Sequence, residues 1–159
     1  MAFDPTALAR PQIPAAFRRL SWAILLLFLD FRLGLNGWNF DVIPDIVGWA
    51  LSISAAGRLR PLHKEARPLK LAAWIGAVLA LPSVFTWGSG FPGQPILPDP
   101  ILAYPLAWAE GLVWVIYIWL MMGIVSDLGQ FFRRADLSAR AHGVRLATAV
   151  LTIGSMLLA

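Results

Sequence analysis

The 159-residue chain has no cysteine, and only 14% of its residues are charged. The first absence excludes a disulfide scaffold and any metal centre built on thiolates. The second excludes an ordinary soluble domain, where about a quarter of residues carry charge. Histidine is scarce as well. His63 and His142 lie far apart in the sequence and fall short of the three or four ligands that zinc takes, so no metal site is expected. There is no His-Glu-x-x-His helix and no Gly-x4-Gly-Lys loop. Gly88-Ser89-Gly90 superficially resembles a nucleophile turn, but no histidine falls in the same loop to act as base, so it reads as loop. No catalytic residue and no cofactor are expected.

What is present is grease. Of the residues 58% are hydrophobic, and the mean hydropathy is +0.68. That excludes disorder. It points to one membrane domain over residues 1–159: an all-α integral membrane bundle of about five transmembrane helices. A span needs about 20 mostly apolar residues. The candidates are Leu20–Leu35, Ile43–Gly57, Leu69–Trp87, Ile101–Val125 and Gly143–Ala159. The first two are short and carry charge, which leaves a re-entrant hairpin open beside two full crossings.

Basic residues set the expected orientation. Every one of the 13 except Arg32 falls before span one, between spans two and three or in the first turn of span three, or between spans four and five or in the first turn of span five. The other loops hold none. Alternate basic loops follow the positive-inside rule, with a cytoplasmic N-terminus and an external C-terminus. The net charge of +4 is therefore read as loop anchoring against an anionic leaflet, not as nucleic-acid binding. The apolar stretch Trp22–Leu29 runs into Asp30-Phe31-Arg32 and not into a small-residue cleavage site, so no cleavable signal is expected. Trp22, Trp74, Trp38 and Trp87 are expected at span ends, and Trp49, Trp108, Trp114 and Trp119 in packing.

The prolines and glycines punctuate the chain. Pro5, Pro11 and Pro14 argue against a long helix within residues 1–19. Gly88–Pro100 reads as an extended outer loop. In span three, Ala72, Gly76 and Ala80 form a small-residue stripe that admits a close neighbouring helix, either within the chain or in a second copy.

Four ionisable residues sit where hydrocarbon is expected: Asp30, Arg32, Asp45 and Glu110. Such groups pair or line a cavity. At about 1.5 Å per helical residue all four fall in one slab from the midplane outwards. Arg32 and Asp45 are the best candidate pair. With three acids for one base, a carboxylic acid there is protonated or wet, and Glu110 is the first expected to be neutral. The slab is either a structural ion pair that sets helix register or a functional polar cavity.

Asn36-Gly37 supplies a turn, and Asp41 through Asp45 a helix start. The hairpin phrase Asp41-Val-Ile-Pro44-Asp45-Ile-Val-Gly48-Trp49, with Asp30 before it, resembles a group of uncharacterised small bacterial multi-pass membrane proteins over residues 20–60. That resemblance implies a membrane fold and no particular activity; Arg32 departs from it. The expected location is the bacterial plasma membrane. The expected role is a non-enzymatic accessory or scaffold subunit, with lipid and either a second copy or another membrane protein as partners. The alternative is a small oligomeric transporter or channel component that uses the charged slab.

Overall fold

The structure is a computed structural model that describes residues 6, 8, 10–28, 32–35, 38–41, 45–81, 85–87 and 100–158. Among them are five α-helices: α1 (Gln12–Phe28), α2 (Asp45–Leu59), α3 (Ala66–Leu79), α4 (Pro100–Phe131) and α5 (Ala135–Leu158). Three short strands, β1 (Arg32–Leu35), β2 (Trp38–Asp41) and β3 (Phe85–Trp87), form an antiparallel sheet in that order. Three helices begin with proline in the first turn, at Pro14, Pro68 and Pro100. The missing N–H is harmless there and the fixed φ suits a helix.

The connections give the bundle two distinct ends. β1 follows α1, β2 precedes α2 and β3 follows α3, so these termini share a sheet end. Residues 60–65 join α2 to α3, and residues 132–134 join α4 to α5, at the opposite, turn end. Each helix packs on its successor, α1 on α2 through to α4 on α5. Contacts are close because the facing residues are small. A Cβ on Gly48 would meet Leu27 at 2.6 Å, and one on Gly76 would meet the Trp49 ring at 2.6 Å. The buried face of α3 is Ala66, Leu69, Ala72, Ala73, Gly76 and Ala77, so the small-residue stripe is spent inside the chain.

One helical segment, Trp108–Phe131, is long and apolar enough to cross a membrane by length and composition. Helices α2 and α3, of 15 and 14 residues, rise only about 22 Å.

Several expectations need correction. The first helix is Gln12–Phe28, not 20–35. It starts earlier because Pro14 is tolerated in its first turn, and it ends before Arg32, which lies in β1 with its backbone opposite Asp41. The helical depth assigned to Arg32, and its pairing with Asp45 across consecutive helices, lose their basis. The third span ends as a helix at Leu79, and Phe85–Trp87 is strand. The fold therefore carries a small sheet that a purely helical reading lacked. Trp22 and Trp74 lie within α1 and α3, more than half exposed, and Trp108 and Trp119 are exposed instead of packed. Trp38 and Trp87 are register partners in the sheet. Asp30, Asn36, Gly37, Pro44, Pro82 and residues 88–99 lie outside the described residues.

Candidate functional site

A cavity of about 330 Å³ opens at the sheet end, between the start of α2, the end of α3 and the first half of α4. Asp45 and Glu110 both line it, beside Trp49, Gly76, Ala80 and Trp114. The fold thus brings together two of the four ionisable residues singled out in the sequence. Asp45 is the first residue of α2, where a carboxylate complements the helix dipole. Both acids are engaged in interactions of their own. Arg32 is placed in β1 and Asp30 lies outside the described residues. Asp41 is in β2 and Gly48 is buried in α2 against Leu27.

An aromatic layer closes the cavity toward the turn end. Trp49 meets Trp114 and Tyr117 edge-on, with centroids 5.9 and 5.1 Å apart, and Trp114 stacks on Tyr117 at 5.9 Å. The Ser52 hydroxyl donates its single proton to the Gly48 carbonyl at 3.0 Å. The Tyr117 hydroxyl must therefore be the donor in its 2.7 Å bond to Ser52. Both residues are fully buried. Below them Leu59, Leu69, Met121 and Ile124 fill the bundle, each no more than 2% exposed.

The turn end holds a second polar group that the sequence reading missed. His63 is fully buried, and its Nε2 lies 2.8 Å from Asp127 on α4. Its Nδ1 accepts the Glu65 backbone N–H at 3.1 Å. An accepting Nδ1 carries no proton, so the ring proton sits on Nε2 and is donated to Asp127. One side chain thereby clamps the α2–α3 turn to α4. Gly123 makes room beside it: a Cβ there would fall on Glu65 and Arg145. Glu65 Oε2 is buried without a hydrogen-bond partner among the described residues. Arg145 donates from Nε to the Trp119 carbonyl at 2.9 Å and lies 5.0 Å over its ring. It ties α5 to α4, and so does more than anchor a loop. Sequence spacing gave no signal for Asp127 or Trp119 as partners, because those contacts join residues 64 and 26 positions apart in the chain.

At the α4–α5 turn, Arg134 forks onto Asp136 through two 2.9 Å bonds. Those bonds hold the Asp136 carboxyl below the ordinary aspartate range and raise the Arg134 guanidinium further. Among the described residues no three His, Cys, Asp or Glu side chains come together as a metal site. Neither end pairs a nucleophile with a base in the described residues. No protein-family model matches this chain, and neither does any curated protein or solved structure.

Proposed function

We propose that this chain is a multi-pass integral membrane protein of the bacterial plasma membrane, with its turn end cytoplasmic, that works without turnover as an accessory or scaffold subunit. One observation carries the reading: the molecule is small inside and greasy outside. Its core is dominated by alanine, including Ala16, Ala55, Ala56, Ala66 and Ala73, all fully buried. Its large apolar side chains point outward on α1, α3, α4 and α5: Trp22, Leu71, Trp74, Val78, Leu112, Ile116, Val150 and Leu151 are all about half exposed or more. Water would penalise such a surface at about 25 cal/mol per Å². Lipid does not, and in lipid small residues are what pack helices.

The charges fit the same frame. Arg58, Arg60, Lys64, Arg67, Arg133, Arg134 and Arg140 all lie at or next to the turns of one end. The sheet end has Arg32 alone among the basic residues. Helices α2 and α3 fall short of a ~30 Å hydrocarbon core. The sheet then belongs at the outer interface, where its unpaired edge groups meet water. The hairpin phrase around Asp41–Trp49 supports the same fold by resemblance.

The filled layer between the ends supports a subunit without transport. From Tyr117 and Ser52 down to Leu59 and Ile124 the bundle is packed with side chains, so the Asp45/Glu110 cavity is blind on that side. A second reading, a small oligomeric transporter or channel component, draws on the meeting of Asp45 and Glu110 in one cavity. Its pathway would have to run between copies. Native mass spectrometry of the protein in lipid nanodiscs separates the two. A second polypeptide in fixed ratio supports the accessory subunit. A homo-oligomer whose proteoliposome flux is abolished by Asp45→Asn with Glu110→Gln supports the second reading and overturns the first.

A further inference from the structure

We propose that the α4–α5 hairpin holds the phosphate headgroup of an anionic phospholipid in an open cleft at the turn end. This site presupposes the membrane reading above, with the turn end on the cytoplasmic side. The cleft measures about 870 Å³ and is lined by Gln130, Arg133, Ala135, Ser138, Ala139 and His142. The α5 contributors recur at three- and four-residue spacing, so they form one face of its first two turns. The lining offers phosphate oxygen a guanidinium, an imidazole and an amide, and the Ser138 hydroxyl, 2.9 Å from Ser126, donates to it when Ser126 supplies the proton between the two. None is a carboxylate. Asp136, the one acid of this turn, is already held by both arms of Arg134. The N-terminal turn of α5 adds its partial positive charge.

The backbone also singles out Arg133. Helix α4 ends in a Schellman motif: Arg134 N–H bonds the Gly129 carbonyl at 2.7 Å, and Arg133 N–H bonds the Gln130 carbonyl at 3.1 Å. That closure puts Arg133 at φ 55, where glycine is the favoured residue. An arginine is strained there, and strain of this kind is kept where the side chain has a task. The left-handed turn sends Arg133 to the cleft while Arg134 goes to Asp136.

A lipid is favoured over free phosphate by what surrounds the cleft. Phe131 and Phe132 precede Arg133, edge to face at 5.2 Å and about half exposed. Leu146, Val150 and Ile153, at successive steps of four, four and three residues from His142, continue the cleft face of α5 as exposed apolar surface. A headgroup seated on Arg133 and His142 would lay its acyl chains along that surface. A bare ion would leave it unused.

The test is native mass spectrometry of the purified full chain, released from detergent holding equal amounts of phosphatidylglycerol and phosphatidylcholine. Arg133→Gly relieves the strained backbone, so the fold is kept while the cleft loses its cation. The phosphatidylglycerol retained relative to phosphatidylcholine should fall about tenfold or more in Arg133→Gly, the loss of a hydrogen bond between charged groups. It should fall further with His142→Gln added. Arg60→Gln, basic at the same end but away from the cleft, should lose no more than about fivefold, the general effect of one basic residue at an anionic surface. Unchanged retention in Arg133→Gly overturns the site, and so does an equal loss in Arg60→Gln. Displacement of phosphatidylglycerol by equimolar inorganic phosphate overturns the lipid as its source. Release of the protein from membranes by alkaline carbonate is a separate outcome, which overturns the membrane reading and the site with it.

Discussion

Replacing Ser52 by alanine should cost more than replacing Tyr117 by phenylalanine, although both remove the same 2.7 Å bond. The asymmetry follows from who donates. Ser52 gives its proton to the Gly48 carbonyl at 3.0 Å, so in Tyr117→Phe it keeps a partner. The expected loss is that of one net hydrogen bond, about 0.5–1.5 kcal/mol. On the membrane reading proposed above, bonds between helices in bilayers average about 0.6 kcal/mol, which favours the lower end. In Ser52→Ala the Tyr117 hydroxyl loses its acceptor while fully buried. It has no easy way to swing elsewhere, because Trp49 and Trp114 hold the ring at 5.1 and 5.9 Å. An orphaned buried donor costs about 1–3 kcal/mol. The double variant removes donor and acceptor together, so it should be more stable than the two single losses added. The assay is unfolding by sodium dodecyl sulfate in mixed micelles, read by tryptophan fluorescence, with Trp49 and Trp114 as nearby reporters. Equal or greater loss in Tyr117→Phe would refute the donor assignment, and simple additivity would refute the contact itself.

The close approach at Gly76 predicts that Gly76→Ala destabilises by about 1–3 kcal/mol, since its Cβ would lie 2.6 Å from the Trp49 ring. Gly143→Ala meets open space and should be neutral or up to about 1 kcal/mol stabilising in the same unfolding assay. Asp127→Ala strands the buried His63 Nε2 proton and should cost about 1–3 kcal/mol, whereas Asp127→Asn keeps an acceptor and should cost less. The Asp136 carboxyl, lowered by Arg134, favours the folded state above the ordinary aspartate pKa and loses that contribution as pH falls through the lowered one. Carbon NMR should show Asp136 titrating lower in wild type than in Arg134→Gln, and no shift between the two would refute the pairing. With no native cysteine in the chain, single cysteines report sidedness cleanly. Ala139→Cys should react with an impermeant maleimide only in inside-out vesicles and Thr86→Cys only in intact cells; the reverse pattern would invert the proposed topology.

Much of the helical organisation could be read from residues alone, because apolar runs, prolines and basic loops act locally. Five helices lie where five apolar segments were marked, with boundaries shifted by several residues. The largest error was at residues 32–35. A continuous apolar run containing Asp30 and Arg32 reads as one helix, yet Arg32–Leu35 is strand. Four residues make a strand only through partners, here Trp38–Asp41 and, beyond it, Phe85–Trp87. The second of those pairings is too distant in sequence for local pattern to show. Asp45 and Glu110 were marked for their charge. That they share a cavity depends on how α2 and α4 each pack against α3.

Composition and charge pattern by themselves determined a helical chain with its basic residues gathered at one end, since each signal is carried by neighbours in sequence. Tertiary structure alone decided the rest. It turned the Ala72–Gly76–Ala80 stripe inward, placed Tyr117 over Ser52, and buried His63 against an aspartate 64 residues away. Those pairings depend on which faces of separate helices meet, and short-range hydrophobic periodicity does not specify that.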